Sequence, residues 1–350
     1  MTDDHSSVDL VDPAVLGRWM DERKLPGAGE PVTVRFISGG ASNEIFEIVR
    51  GEARLALRRP PRQVPKGRNE AMLREYRVLA ALRDTDVPHT RAVAACDDPA
   101  VLGACFYLME FVDGWSCMNL SGWPAPFDTD LGARAGLAHE LVDAIAKLAR
   151  VDWKARGLEG FGRPEGFHER QVDRWLAHLT GFKFRDLPGL DTAAEWLRGY
   201  RPRTYTPGII HGDYQFANVM FRHGAPARMA AIVDWEMATI GDPLLDLAWV
   251  IMAWPDPGED RASSGYVDYT GMPSRAELMQ RYAQVSGLPV DEMDYYVILA
   301  RFKMAVVLEG GYARYVQGGA DNPKMAMFGD VVLDMARKAA ELAKTTRLKG

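Results

Sequence analysis

A change of rhythm near the first third of the chain constrains its fold most. From residue 32 to 111 the apolar residues come in short β-prone runs, at 32–37, 44–49, 54–57, 92–95 and 106–111, with one helical stretch at about 69–82. In that stretch Leu73, Tyr76, Leu79 and Ala80 sit at offsets of three and four, which predicts one apolar helix face packed on a sheet. After Asp113-Gly114 the patterns turn long and helical, at about 130–152, 169–180, 191–198, 274–285, 292–316 and 325–343, with two short β-like segments at 219–222 and 229–233 among them. This order predicts an α+β chain in two lobes. Residues 1–112 are expected to form a small β-rich lobe with one helix. Residues 113–350 are expected to form a larger, mainly helical lobe with a central β-hairpin, and a ligand cleft is expected between the two.

The 350 residues, 47% hydrophobic and 26% charged, are enough for more than one core. A formal charge of -6 argues against nucleic-acid binding as the main role, although a local basic patch can sit inside an acidic total. Apolar stretches such as 247–254 are much shorter than the roughly 20 residues of a bilayer span, so no membrane helix is expected. The start, Met1-Thr2-Asp3-Asp4-His5, has neither the basic residues nor the apolar run of a secretory leader, so a cytoplasmic location is expected. Cys96, Cys105 and Cys117 form no CxxC spacing, which favours reduced, buried thiols over disulfides or zinc ligands. The run Arg54, Arg58, Arg59, Arg62, Lys66 and Arg68 reads equally as a solvated loop or as a patch facing anionic phosphates.

The chemistry is concentrated in Ile209-Ile210-His211-Gly212-Asp213-Tyr214-Gln215-Phe216-Ala217-Asn218-Val219-Met220-Phe221, where Asn218 follows Asp213 by five residues. Sixteen residues beyond Asn218, after the β-prone pair Ile232-Val233, comes Asp234. Asp213 and Asn218 alone are compatible with a plain turn; Asp234 at that spacing argues against it. The segment resembles the catalytic loop of the aminoglycoside phosphotransferases and their choline kinase-like relatives, followed by their counterpart of the kinase Asp-Phe-Gly aspartate. The resemblance implies a protein-kinase-like two-lobe fold and transfer of the γ-phosphate of ATP, with Mg2+, to the hydroxyl of a small-molecule alcohol. It makes Asp213 the base and Asn218 and Asp234 the metal ligands, roles that suit a proton acceptor and a hard cation's oxygen donors. His211 reads as a structural histidine holding the loop.

Other positions are expected to serve the nucleotide. Ser38-Gly39-Gly40-Ala41-Ser42-Asn43 lies between two β-prone runs, where Gly40 would let backbone amides approach phosphate and Ser42 would add a hydroxyl. Arg58 stands where kinases place a phosphate-binding lysine, and Glu75 is its expected carboxylate partner, with Glu70 second. Main-chain groups at Glu110 and Val112 are expected to bond the adenine edge. In Gly241-Asp242-Pro243, Asp242 reads as a helix N-cap with Pro243 at the first helical position, and Asp246 as support for the catalytic loop.

Arginine in the lysine position is similar to the kinase-like domains attached to some acyl-CoA dehydrogenases, which points to a hydroxyacyl-CoA acceptor. An aminoglycoside acceptor would favour acidic residues such as Asp256, Glu259, Asp260 and Asp268. A nucleotide-binding pseudokinase is the alternative that Arg58 raises. A protein kinase is disfavoured, because no Ala-Pro-Glu segment follows Asp234.

Overall fold

The computed structural model describes residues 8–39, 43–117, 122–255, 267–319 and 323–348. Along them the strands are β1 (Thr33–Gly39), β2 (Glu44–Arg50), β3 (Ala53–Arg59), β4 (Ala92–Cys96), β5 (Phe106–Glu110), β6 (Gly208–Ile210), β7 (Val219–Phe221), β8 (Met229–Ile232) and β9 (Thr239–Gly241). The helices are α1 (Pro13–Glu22), α2 (Arg68–Ala81), α3 (Leu131–Ala149), α4 (Phe167–Thr180), α5 (Leu190–Gly199), α6 (Leu244–Ala253), α7 (Arg275–Ser286), α8 (Met293–Val316) and α9 (Phe328–Thr345). Each β-prone run and each long helical pattern of the sequence corresponds to one of these, with ends displaced by a few residues.

Contacts divide the chain into two compact units, Met1–Ser116 with Val151–Phe161 and Asn218–Ala238, and Cys117–Arg150 with Gly162–Ala217 and Thr239–Gly350. The grouping follows no single cut near residue 112, because β7 and β8 belong with the N-terminal sheet.

In the first unit β1, β2, β3, β5 and β4 lie side by side in an antiparallel sheet. Phe46, Ile48, Leu55, Leu57, Phe106 and Leu108 form its core, and Leu16, Trp19 and Met20 of α1 cover it. α1 is absent from the sequence expectations, although Asp12-Pro13 is a start signal: the Asp12 carboxylate accepts from the Ala14 and Val15 amides, and Pro13 opens the helix.

The buried face of α2 is Met72, Glu75, Val78 and Leu79, so the predicted face is rotated by about one residue, and Leu73, Tyr76 and Ala80 are only half-buried. An apolar count overlooks Glu75, a charged residue that belongs to the inner face because a cation meets it there. The hairpin of β7 and β8 joins the same unit through Trp115 and Phe221, whose amides and carbonyls pair at 2.8 and 2.9 Å. Gly114 makes this approach possible, since a Cβ there would lie 2.6 Å from the Phe221 carbonyl oxygen.

In the second unit β6 and β9 form a short antiparallel pair. α6 is buried from Leu244 to Met252, and α8 packs against α4, α5, α6 and α9. The α7 start carries a capping box between Ser274 and Glu277. Among the described residues no helix is long and apolar enough to cross a membrane.

Candidate active site

In the second unit the apolar strand β6 ends at Ile210 and delivers His211, Gly212 and Asp213. Asp246, in the first turn of α6 and 2% exposed, grips this corner: its carboxylate accepts from the His211 amide at 2.6 Å and from the Gly212 amide at 2.8 Å. Burial pushes the Asp246 carboxyl up, while His211, the two amides and Lys303 oppose the shift. Gly212 has φ +86°, a conformation that glycine adopts without strain. His211 is fully buried and its Nδ1 accepts from the Asp213 amide at 3.4 Å, a structural arrangement. Asp213 is half-buried, and its Oδ1 accepts from the Gln215 side-chain amide at 3.0 Å.

Asp242 does more than begin a helix. One carboxylate oxygen accepts from the Leu244 amide at 3.1 Å, and the other from Tyr296 Oη at 2.7 Å and His168 Nε2 at 2.9 Å. It therefore ties the α6 start to α4 and α8.

In the first unit Arg58 on β3 is the centre of a fork. Its Nε lies 3.0 Å from Glu75 Oε2 and its Nη2 donates to Asp234 Oδ1 at 2.6 Å. Arg58 is 6% and Glu75 1% exposed, so the pair is held where a lone charge would be costly. Tyr107, buried beside them, donates its hydroxyl to Glu75 Oε2 at 3.2 Å. Burial works against the Arg58 cation, but Tyr107, Glu75 and Asp234 outweigh it and raise its pKa. Glu70 is exposed, so the carboxylate beside Arg58 is Glu75.

Burial pushes the Glu75 carboxyl up from 4.5 to about 7, with Arg58 pulling the other way. Between those values the folded chain holds a proton that the unfolded chain has released. This group's stability contribution is therefore complete below pH 4.5 and lost as pH rises through about 7. Glu75→Gln is expected to flatten that part of the stability profile, measured as urea midpoints at pH 5, 6, 7 and 8; parallel wild-type and variant curves would contradict it.

Asn218 stands immediately before β7 and Asp234 two residues after β8. The Asn218 carbonyl accepts from the Val233 amide at 2.9 Å, which sets the two backbones side by side. Asp234 adopts the left-handed conformation, φ 64° and ψ 64°, which costs a non-glycine residue on the order of 1 kcal/mol. The Arg58 bond and the turn at Trp235, whose Nε1 donates to the Ile232 carbonyl at 3.1 Å, hold it there. Among the described residues no three His, Cys, Asp or Glu side chains gather into a metal cage. An amide oxygen and one carboxylate nevertheless fit Mg2+, which takes few protein ligands and fills its shell with water and phosphate oxygens.

Several expected positions lie outside the described residues or already have internal partners. Gly40 and Ser42 lie outside the described residues, as do Asp256, Glu259 and Asp260. Asp268 is described, but it accepts from Arg134 at 2.7 Å and from the Thr270 amide at 2.9 Å, so it is already engaged structurally. The basic run is divided among internal partners: Arg54 pairs with Glu47, Arg59 is buried against the Leu10 and Pro60 carbonyls, and Arg68 pairs with Glu236. Arg62 and Lys66 of that run are exposed. The Glu110 amide donates to the Arg91 carbonyl at 2.9 Å, and Val112 is half-buried in irregular backbone.

The sequence reading overlooked Tyr107 and Lys303. Tyr107 looks like any strand aromatic, but Lys303 left a signal, a cation inside the apolar helical pattern of 292–316.

The profile of the phosphotransferase enzyme family, which includes the aminoglycoside phosphotransferases, matches residues 33–284. Acyl-CoA dehydrogenase family member 11 of Gallus gallus is 30% identical over 335 residues, covering 92% of this chain and 42% of that protein. The chain thus spans about two fifths of that relative's length. A crystal structure of a protein from Ralstonia eutropha JMP134 is 31% identical with a TM-score of 0.82, covering 96% of this chain and 99% of that one. Aminoglycoside phosphotransferase APH(4)-Ia, in a ternary complex with AMP-PNP and hygromycin B, shares the fold at 15% identity and a TM-score of 0.62, covering 95% and 99%. On the family profile and the 31% identity to a whole solved chain, this protein belongs to the phosphotransferase enzyme family.

Proposed function

We propose that the protein is a small-molecule kinase that transfers the γ-phosphate of ATP to a hydroxyl group, with Asp213 as the base and Asn218 and Asp234 as the Mg2+ ligands. The observation that carries this reading is the Arg58 fork, which joins Glu75 of the sheet-packed helix to Asp234. Protein kinases need an ion pair between the strand lysine and a helix carboxylate, and the Arg58–Glu75 pair supports the same arrangement here. A guanidinium supplies two donors in one plane, so arginine suits the position as a phosphate-binding group and speaks against an inert pseudokinase.

Phosphoryl transfer demands positioning more than covalent help. Asp213, on a corner that Asp246 holds by two amides, would take or orient the acceptor hydroxyl's proton. Mg2+, when bound, would neutralise charge on the phosphate oxygens. Residues 1–112 would act as the nucleotide lobe, with Gly40, Ser42, Val112 and the Glu110 carbonyl toward ATP, and residues 113–350 as the acceptor lobe. The likeness to acyl-CoA dehydrogenase family member 11 supports a hydroxyacyl-CoA as the acceptor. The basic run gives that acceptor little help, since most of it is paired internally. Three free, buried thiols support a reducing, cytoplasmic setting.

The test is ADP release from Mg-ATP against a panel of hydroxyacyl-CoAs, aminoglycosides and simple alcohols. A hydroxyacyl-CoA that drives release is the expected result. Turnover of aminoglycosides alone would reassign the acceptor, and calorimetric ATP binding with no turnover of any acceptor would overturn the kinase reading.

A further inference from the structure

α8 is buried along most of its length, yet it carries Lys303 at 6% exposure. A buried ammonium is costly unless something nearby requires it. Its Nζ donates to the Gly212 carbonyl at 2.6 Å and lies 4.8 Å and 5.4 Å from the ring centres of Trp249 and Trp175. Gly212 is thereby gripped at both of its main-chain polar groups, with Asp246 of α6 accepting from the amide and Lys303 of α8 donating to the carbonyl. That carbonyl belongs to the peptide bond leading directly into Asp213. The charged groups facing the ammonium are Asp213 and Asp246, which favour it, and Arg174 of α4, which opposes it.

We propose that Lys303 is a positioning residue for the phosphotransfer base: tied to the Gly212 carbonyl, its ammonium fixes the backbone that presents Asp213. The inference rests on Asp213 being the base. Burial brings the Lys303 ammonium down to about 8, so the cation is present below that pH and is lost above it. Turnover is therefore expected to decline as pH rises through about 8.

Two measurements on the full chain test this. The first is an Asp213 titration by NMR with carboxyl-labelled aspartate, the resonance being assigned by its loss in Asp213→Asn. In Lys303→Met the Asp213 titration is expected to move to higher pH, because the neighbouring ammonium favours the ionised carboxyl. The second is Mg-ATP turnover across pH, with hydrolysis to water as the probe reaction until an acceptor is in hand. There kcat is expected to fall by about 100-fold, the KM for ATP to stay within about twofold, and the decline near pH 8 to disappear. A core packing role alone would move neither the Asp213 titration nor the pH profile. If Lys303→Met does not fold, Lys303→Gln, which keeps a donor for Gly212 but no charge, carries the same comparison. An inactive Asp213→Asn beside a Lys303→Met with wild-type titration and turnover would overturn the inference alone. Wild-type turnover in Asp213→Asn would instead sink the assignment of the base.

Discussion

Asp213→Asn is expected to cut turnover by about three orders of magnitude while leaving Mg-ATP binding nearly unchanged. The amide keeps an oxygen for the Gln215 side chain, which now bonds the carboxylate at 3.0 Å, so the loop has no structural reason to move. What disappears is the charge that receives or orients the hydroxyl proton. Arg58, Glu75, Asn218 and Asp234, which the proposed nucleotide site uses, lie in the other unit and keep their bonds. Calorimetry with Mg-ATP and steady-state ADP release, run on the same preparation, separate binding from chemistry. A variant with full turnover would remove Asp213 from the reaction, and one that loses ATP binding as well would mean that the substitution acts through folding.

The largest expected effect on stability is that of Asp246→Ala. Its carboxylate is the partner of two main-chain amides in the buried corner before Asp213, and the alanine would leave both without an acceptor. At about 1 to 3 kcal/mol for each of the two stranded buried donors, the loss is about 2 to 6 kcal/mol, a large part of an ordinary domain's stability. Asp246→Asn repairs only half of this, since the new amide nitrogen would confront an N–H donor. Urea midpoints measure the effect, and an alanine variant with the wild-type midpoint would show that water or a rearranged corner satisfies the amides instead.

Much of this was legible in the chain. Period-two and period-3.6 runs placed the sheet and the long helices, and the resemblance carried by Asp213, Asn218 and Asp234 pointed to the family that the profile match shows. The choice of Glu75 as the Arg58 partner is matched by a 3.0 Å ion pair. What local pattern could not show was where charge is buried. The α2 face was misread because Glu75 looks like a surface residue until Arg58 is brought to it by strand pairing. The basic run looked like a patch because its carboxylate partners, Glu47 and Glu236, come from other elements. Lys303 and Asp246 lie far from Gly212 in sequence, and only the packing of α6 and α8 shows that they hold the same residue. α1 was missed for a simpler reason: a Pro-started helix of ten residues is short, and its start signal was not weighed.

The way the first unit is assembled from three separated stretches bears on how the protein comes off the ribosome. Its sheet strands are complete by residue 110, but the hairpin that brings Asp234 to Arg58 and Glu236 to Arg68 is supplied only by residues 218–238. Until that late stretch has been translated, Arg58 of β3 has Glu75 but not Asp234, and Arg68 of α2 lacks Glu236. In a growing chain water therefore stands in for Asp234 and Glu236 while more than a hundred further residues are added.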